Sequence, residues 1–277
     1  MAVTVADIKT LNTNTGAGML DCKKALVECN GDVAAAEKLL REKGLAAMAK
    51  RQDRATAEGR IYMRQEGNKI AVVEVTCETD FVANNADFVA VGEKLLDLTL
   101  SKGLKEITEE HKALVNEIAI KFRENMSVSK VELYEIPSTG TGAFYIHGDK
   151  KTGAVVIIDG SNADVVKTFA YDCCLHIAAF TPAYTTKAEV PQSYIDEQKE
   201  IFEAQMAADP KMEGKPQKVK DGILQGKINK NLAEICFEDQ MFVKDDKKTV
   251  AAKLAETGKA AGASLKFATA KLYLLGK

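Results

Sequence analysis

Cysteine and histidine are the residues of this sequence best suited to nucleophilic or metal chemistry. The six cysteines, Cys22, Cys29, Cys77, Cys173, Cys174 and Cys236, form no C-x-x-C. The three histidines, His111, His147 and His176, stand far apart and give no pair at zinc spacing. A disulfide between adjacent Cys173 and Cys174 would be strained, so the thiols are expected as small buried side chains in a reducing cytoplasm. Gly16-Ala17-Gly18 and Gly140-Thr141-Gly142 lack the further glycine, lysine and hydroxyl of a phosphate loop. Neither G-x-S-x-G nor H-E-x-x-H occurs. The pattern points to a binding protein rather than an enzyme, with no cofactor and no metal expected.

Charge narrows the partners. The 277 residues carry 38 Lys plus Arg against 40 Asp plus Glu, a formal charge of -2. That balance lacks the basic footprint of a dedicated DNA binder. No apolar run reaches the ~18–20 residues that cross a membrane. The amino terminus, MAVTVADIKT, has no basic region followed by an apolar stretch, so a cytoplasmic protein without a signal peptide is expected.

The elements that must position any binding residues follow from periodicity. Val5, Ile8 and Leu11 predict a short helix, and residues 13–18 a turn. A second helix runs from Met19 to Cys29 and stops at Asn30-Gly31. Met19, Cys22, Leu26 and Cys29 form its buried stripe. Asp32 caps a third helix, with Gly44 as its end. This three-helix module spans 1–44, and a basic, Ala-rich linker spans 45–57. Alternation over 59–64 and 70–75, with Glu66-Gly67-Asn68 between, predicts a hairpin. Helices follow around Phe88–Leu98 and Leu114–Phe122. Strands are expected near 128–136, 143–147 and 154–158, and a helix from Ala163 to Phe180 before Pro182. Residues 182–231 read as a projecting helical hairpin, a coiled-coil arm, with Tyr194, Gln198, Ile201 and Gln205 on one helix and Val219, Ile223 and Ile228 on the other. A helix near Val250–Leu254 and a strand over Leu265–Leu275 close the chain.

The middle of the chain repeats. Gly59-Arg60-Ile61-Tyr62-Met63 parallels Gly142-Ala143-Phe144-Tyr145-Ile146, and Ala71 to Val75 parallels Ala154 to Ile158. Each copy then reaches Asn-Ala-Asp at a helix start, Asn85-Ala86-Asp87 and Asn162-Ala163-Asp164. The expected fold is therefore α+β: the helical module, then two similar subdomains with antiparallel sheets, 58–140 and 141–181 with 232–277, and the arm. From the Ala of the second strand to the Asn is 14 residues in the first copy and 8 in the second. The six extra residues lie within Thr76–Asn84, and binding residues tend to sit on such loops. Removing them should leave a scaffold that still closes. Asp80 can cap a short helical turn there. Periodicity leaves Phe81 evenly divided between extending the stripe Phe88–Val91–Leu95 and projecting; Asn84-Asn85-x-Asp87 favours a break, hence projection.

A second candidate surface lies on the module. Leu20 and Val27 face away from the stripe of the second helix, flanked by Lys23 and Lys24. Single exposed apolar residues need no explanation, but a mixed apolar and basic face also suits a partner. Two other functions compete. One is an RNA-binding or scaffold protein using the lysines between Lys211 and Lys230. The other is an enzyme with Cys77 as nucleophile.

Two segments carry a resemblance. Thr15-Gly16-Ala17-Gly18-Met19-Leu20-Asp21-Cys22-Lys23-Lys24-Ala25-Leu26 and Glu74-Val75-Thr76-Cys77-Glu78-Thr79-Asp80-Phe81-Val82-Ala83 are similar to the two signatures of bacterial elongation factor Ts. Two departures stand out: Leu11-Asn12 where the family has Leu-Arg, and Glu74-Val75-Thr76 where it has Glu-Val-Asn. Neither touches Thr79–Val82. The additional carboxy-terminal helix of some members is not expected. The resemblance implies a ubiquitin-associated-type amino-terminal module and a guanine-nucleotide exchange factor for elongation factor Tu. It implies that Met19, Leu20, Lys23 and Lys24 meet the partner's G domain. Thr79, Asp80, Phe81 and Val82 would enter that domain and dislocate its magnesium and phosphate site. His147 would reach a second domain of elongation factor Tu. A homodimer is compatible with the resemblance.

Overall fold

Thr4 opens α1 (Val5–Thr15) with a capping box. Its hydroxyl oxygen accepts from Asp7 N at 3.1 Å, and the Asp7 carboxylate accepts from Thr4 N at 3.1 Å. The computed structural model describes residues 3–277. After α1, α2 (Met19–Glu28) ends at Asn30 and Gly31, both at positive φ. Asp32 caps α3 (Val33–Ala49), accepting from Ala35 N at 3.0 Å. Leu11, Cys22, Ala25, Leu26 and Ala36 close a small core among these helices.

Three expectations for this region need correction. Val5 is exposed, so Leu11 alone anchors α1 fully in the core. Met19 sits in the first turn of α2, 44% exposed, and Ala25 is buried beside Cys22 and Leu26 instead. Helix α3 also runs through Gly44 to Ala49. A Cβ at Gly44 would lie 2.6 Å from Ile120 Cγ2, so this glycine marks the close approach of α3 to α6 (Glu109–Phe122).

The chain divides into two compact units. One contains the residues up to Tyr134 with Gly148–Lys151 and Leu274–Lys277; the other contains Glu135–His147 and Thr152–Tyr273. In the first, β1 (Glu58–Glu66) and β2 (Lys69–Cys77) form an antiparallel hairpin, with β3 (Ser127–Glu135) beside β2. Alternate residues of β2, namely Ala71, Val73, Val75 and Cys77, pack with Phe88, Val91, Leu95 and Leu96 of α5 (Ala86–Lys102). Each large side chain buried here contributes about 1.5–3 kcal/mol. Gly92 has no Cβ to strike the Tyr62 ring, which would lie 2.1 Å away. That close approach lets the Tyr62 hydroxyl donate to Phe88 O at 3.3 Å.

In the second unit, β4 (Thr141–Ile146) and β5 (Thr152–Asp159) form the matching hairpin, with β8 (Lys266–Leu274) beside β5. Helix α7 (Asp164–Phe180) covers it through Phe169, Cys173, Cys174 and Ile177. The duplication is real but offset. Gly59 faces Thr76, whereas Gly142 faces Ile157, two residues out of register. A shift by two keeps every side chain on its face, so both hairpins can bury the same pattern. The shared tripeptide also divides: Asn85 caps α5 with its side chain, while in the second copy the cap is Ala163.

Helices α8 (Gln192–Ala208) and α9 (Gln217–Ile235) pack through Tyr194, Ile195 and Phe202 against Leu224, Ile228 and Leu232. The seam is rotated from the expected one, leaving Ile201 and Val219 exposed. The short strands β6 (Met241–Phe242) and β7 (Asp245–Thr249) and helix α10 (Val250–Ala261) complete this unit. No helix among the described residues is long and apolar enough to cross a membrane.

Candidate functional site: a braced loop and an exposed helix face

The connection from β2 to α5 folds into a single helical turn, α4 (Asp80–Ala83). Thr79, not Asp80, is its cap: the Thr79 hydroxyl oxygen accepts from Val82 N at 3.4 Å. A threonine hydroxyl there leaves the Asp80 carboxylate free to face solvent. Phe81 is 84% exposed, so of its two readings the projecting one holds. Val82 and Ala83 turn inward and join the core beneath.

This turn is held from both sides. Glu124 accepts from Glu78 N and Thr79 N, each at 3.1 Å, and from the Thr79 hydroxyl at 2.6 Å. Glu78 in turn accepts from Asn125 N at 2.6 Å and pairs with Arg54 at 3.4 Å. On the other side Arg60 donates to Ala83 O at 2.7 Å and to Asn84 Oδ1 at 2.5 Å. Asn84 donates back to Asp80 O at 2.8 Å. A segment whose backbone groups are paired this fully presents Phe81 with little conformational entropy left to lose. Glu124 and Arg60 had no motif signal, because each acts from a distant element. Lys151 of the same unit pairs with Glu58 at 2.6 Å. That bond, aided by the nearby Asp80 and Asp149 carboxylates, holds its ammonium above the usual range.

Cys77 sits under the loop and is fully buried, its thiol donating to Thr79 O at 3.2 Å. Burial pushes its pKa up to about 12, with the Glu124 charge adding to the effect. An inaccessible thiol that stays protonated is no nucleophile. All six cysteines are free, and burial raises Cys173 and Cys174 as well.

Of the other singled-out residues, Leu20, Lys23 and Lys24 are exposed on α2 together with Met19. Leu20 is 74% exposed, and with Lys23, Lys24, Val27 and Glu28 it lines a shallow depression. Within the same unit, Asp21 of α2 pairs with Arg123 at 2.9 Å. His147, in the second unit, is exposed just after β4, and its Nδ1 lies 3.0 Å from the Tyr145 hydroxyl. The remaining histidines are structural. His111 Nδ1 accepts from Thr108 N at 3.1 Å, so its Nε2–H faces Thr99 Oγ1 at 3.1 Å. His176 Nδ1 accepts from Val243 N at 3.2 Å, and its Nε2 lies 2.9 Å from Gln240 Oε1. Burial lowers the pKa of both.

A model of the elongation factor Ts family matches residues 78–276, which include the braced loop. An elongation factor Ts of Treponema denticola is 46% identical, over 100% of this chain and 99% of its own length. One from Borrelia recurrentis is 40% identical over 94% of each chain. One from Clostridium acetobutylicum is 36% identical over 96% of this chain and 90% of its own. A match over most of the chain, and identity of this order over nearly all of it, place the sequence: the chain belongs to the elongation factor Ts family, a family of translation elongation factors.

Proposed function

We propose that this chain is a guanine-nucleotide exchange factor that binds elongation factor Tu and promotes release of its GDP. The observation that carries the reading is Phe81, a large apolar side chain held out in water by a turn braced by Glu124 on one side and Arg60 on the other. Covering it on a partner recovers about 1.5–3 kcal/mol. Spent on a geometry that only the nucleotide-free partner allows, that energy corresponds to about one to two decades of weakened GDP affinity. Phe81 enters the G domain as a wedge beside the magnesium and phosphate site. The exposed Asp80 brings a negative charge towards groups that otherwise hold magnesium and phosphate. Thr79 caps the wedge, and Val82 anchors it from below.

The helical module supplies affinity rather than displacement. Met19, Leu20 and Val27 give apolar contact to the G domain, and Lys23 and Lys24 steer and orient the approach. His147 and the adjoining Tyr145 meet a second domain of the partner, so that two separated contacts hold the wedge in place. GTP then enters the emptied site by mass action and the factor leaves. The test is release of a fluorescent GDP from elongation factor Tu in the presence of excess unlabelled nucleotide. Adding the chain should accelerate release in proportion to its concentration until saturation; an unchanged rate would end this reading.

A further inference from the structure

In the second unit, β4 stands at the end of the sheet order β4-β5-β8, with β5 on one side and α7 over one face. Its pairing with β5 fixes which backbone groups face outward. His147 N donates to Thr152 O at 2.8 Å, which marks these two residues as a hydrogen-bonded pair. Such pairs recur at every second residue, so Tyr145, Ala143 and Thr141 also bond to β5. The N–H and C=O groups of Gly142, Phe144 and Ile146 therefore point away from the sheet. None of these six groups has a partner among the described residues.

An open edge invites another strand, and soluble proteins guard such edges with charges, proline or bulges. The other outer strands are guarded. β1 carries Glu58, Arg60, Arg64 and Glu66, and its Ile61 N already donates to Lys150 O at 2.8 Å. β3 carries Lys130, Glu132 and Glu135, and β8 carries Lys266 and Lys271. Thr141-Gly142-Ala143-Phe144-Tyr145-Ile146 has no charge and no proline, and its register with β5 runs unbroken. An uncharged six-residue segment with Phe, Tyr and Ile is well suited to strand pairing. Over the same strand Tyr171 of α7 is 46% exposed, its ring edge-on to Tyr145 with centroids 6.3 Å apart. It offers apolar surface beyond the strand itself.

We propose that this edge joins two copies of the chain, by antiparallel pairing of β4 with β4 about a two-fold axis through Phe144. Symmetry and charge argue for a second copy. With the axis there, Phe144 faces its own counterpart and Gly142 faces Ile146, so all six outward groups of each copy are satisfied. Ala143 meets Tyr145, small against large. No lysine, arginine or carboxylate lies within 141–147, so no charge is set against its like. The interface is short and the dimer correspondingly weak, with a dissociation constant on the order of tens of micromolar. It forms without elongation factor Tu or nucleotide.

The test is sedimentation velocity of the full chain alone, from low micromolar to submillimolar concentration, with amide hydrogen exchange measured at both ends of that range. The expected result is a monomer–dimer equilibrium. Exchange at Gly142, Phe144 and Ile146 should slow by about threefold or more at high concentration. Gly59 and Met63, which face outward on β1, should be unchanged. Phe144→Pro removes the central donor at an edge position and should weaken association by about tenfold or more. If that variant does not fold, the exchange pattern of the wild-type chain decides. A chain that stays monomeric throughout overturns the proposal. So does association that leaves the three amides unchanged, or that persists undiminished in folded Phe144→Pro. Slowing of the three amides only after elongation factor Tu is added assigns the edge to that partner and equally overturns the second copy.

Discussion

The hairpin β1–β2 and the hairpin β4–β5 both deliver the chain to a long helix, but by different routes. After β5 the connection is 160–163: Gly160 at φ +112, then Ser161, Asn162 and Ala163. Asp159 accepts from Thr139 Oγ1 at 2.7 Å and from Gly160 N at 2.9 Å, and the chain enters α7 with no large side chain presented. After β2 the connection is 78–85, with a helical turn, a clamp from Glu124 and a second from Arg60. Only this one exposes an aromatic ring. The contrast teaches that the two copies share a packing scheme and not a purpose. One closes by the short path; the other uses its extra length to build a rigid mount.

The extra length is also tied into the fold, which changes the expectation for its removal. Val82 and Ala83 are core residues, and Glu78 and Thr79 occupy Glu124. Deleting Glu78–Ala83 should therefore destabilise the first unit by about 3–5 kcal/mol as well as abolish exchange. A chemical-denaturation curve unchanged by the deletion would show the loop to be a passive insertion after all. Glu124→Ala breaks the comparison more gently. It frees three donors of the loop while leaving Phe81 present, and should cost about 1.5–3 kcal/mol. Exchange should fall through loss of rigidity; hydrogen exchange at Thr79 N, faster in the variant, would check the cause.

Leu20→Glu should weaken complex formation with elongation factor Tu and leave the melting temperature of the free chain nearly unchanged, since Leu20 is mostly exposed. A marked fall in melting temperature would place Leu20 in the core instead. The smallest effect concerns pH and is shared by the two units. His111 and His176 are buried as neutral acceptors, with pKa values lowered chiefly by burial. The unfolded chain protonates them below about pH 6.5, the folded chain only at lower pH. Their contribution to stability is thus complete above about pH 6.5 and is lost as pH falls below it. Melting temperatures followed from about pH 7.5 down to about 5.5 should decline over the lower half of that range. A constant value would contradict the neutral assignment.

Much of this architecture was legible because it is local. Alternation in 59–64 and 70–75, and Gly67-Asn68 between, specify a hairpin without reference to anything distant. What escaped depends on remote partners. Gly44 looks like a helix stop until Ile120 arrives beside it. Phe202 rather than Ile201 faces α9: two adjacent apolar residues allow two stripes on the helix, and only the partner helix decides between them. Strand β7, Asp245–Thr249, has no apolar residue to announce it. At the site, the length difference between the copies pointed to the loop and to Phe81. Glu124 and Arg60, which fix its geometry, lie on other elements and carry no local sign.

The account turns on whether the exposed ring of the braced loop is what expels nucleotide. Stopped-flow release of fluorescent GDP from elongation factor Tu, with saturating wild-type chain and with Phe81→Ala, asks this directly. Because Phe81 is 84% exposed, the substitution should leave the melting temperature of the free chain in place. The accelerated rate should fall by about ten- to a hundredfold, matching the lost burial energy. A folded Phe81→Ala chain that releases GDP as fast as the wild type would contradict the account and put the wedge elsewhere.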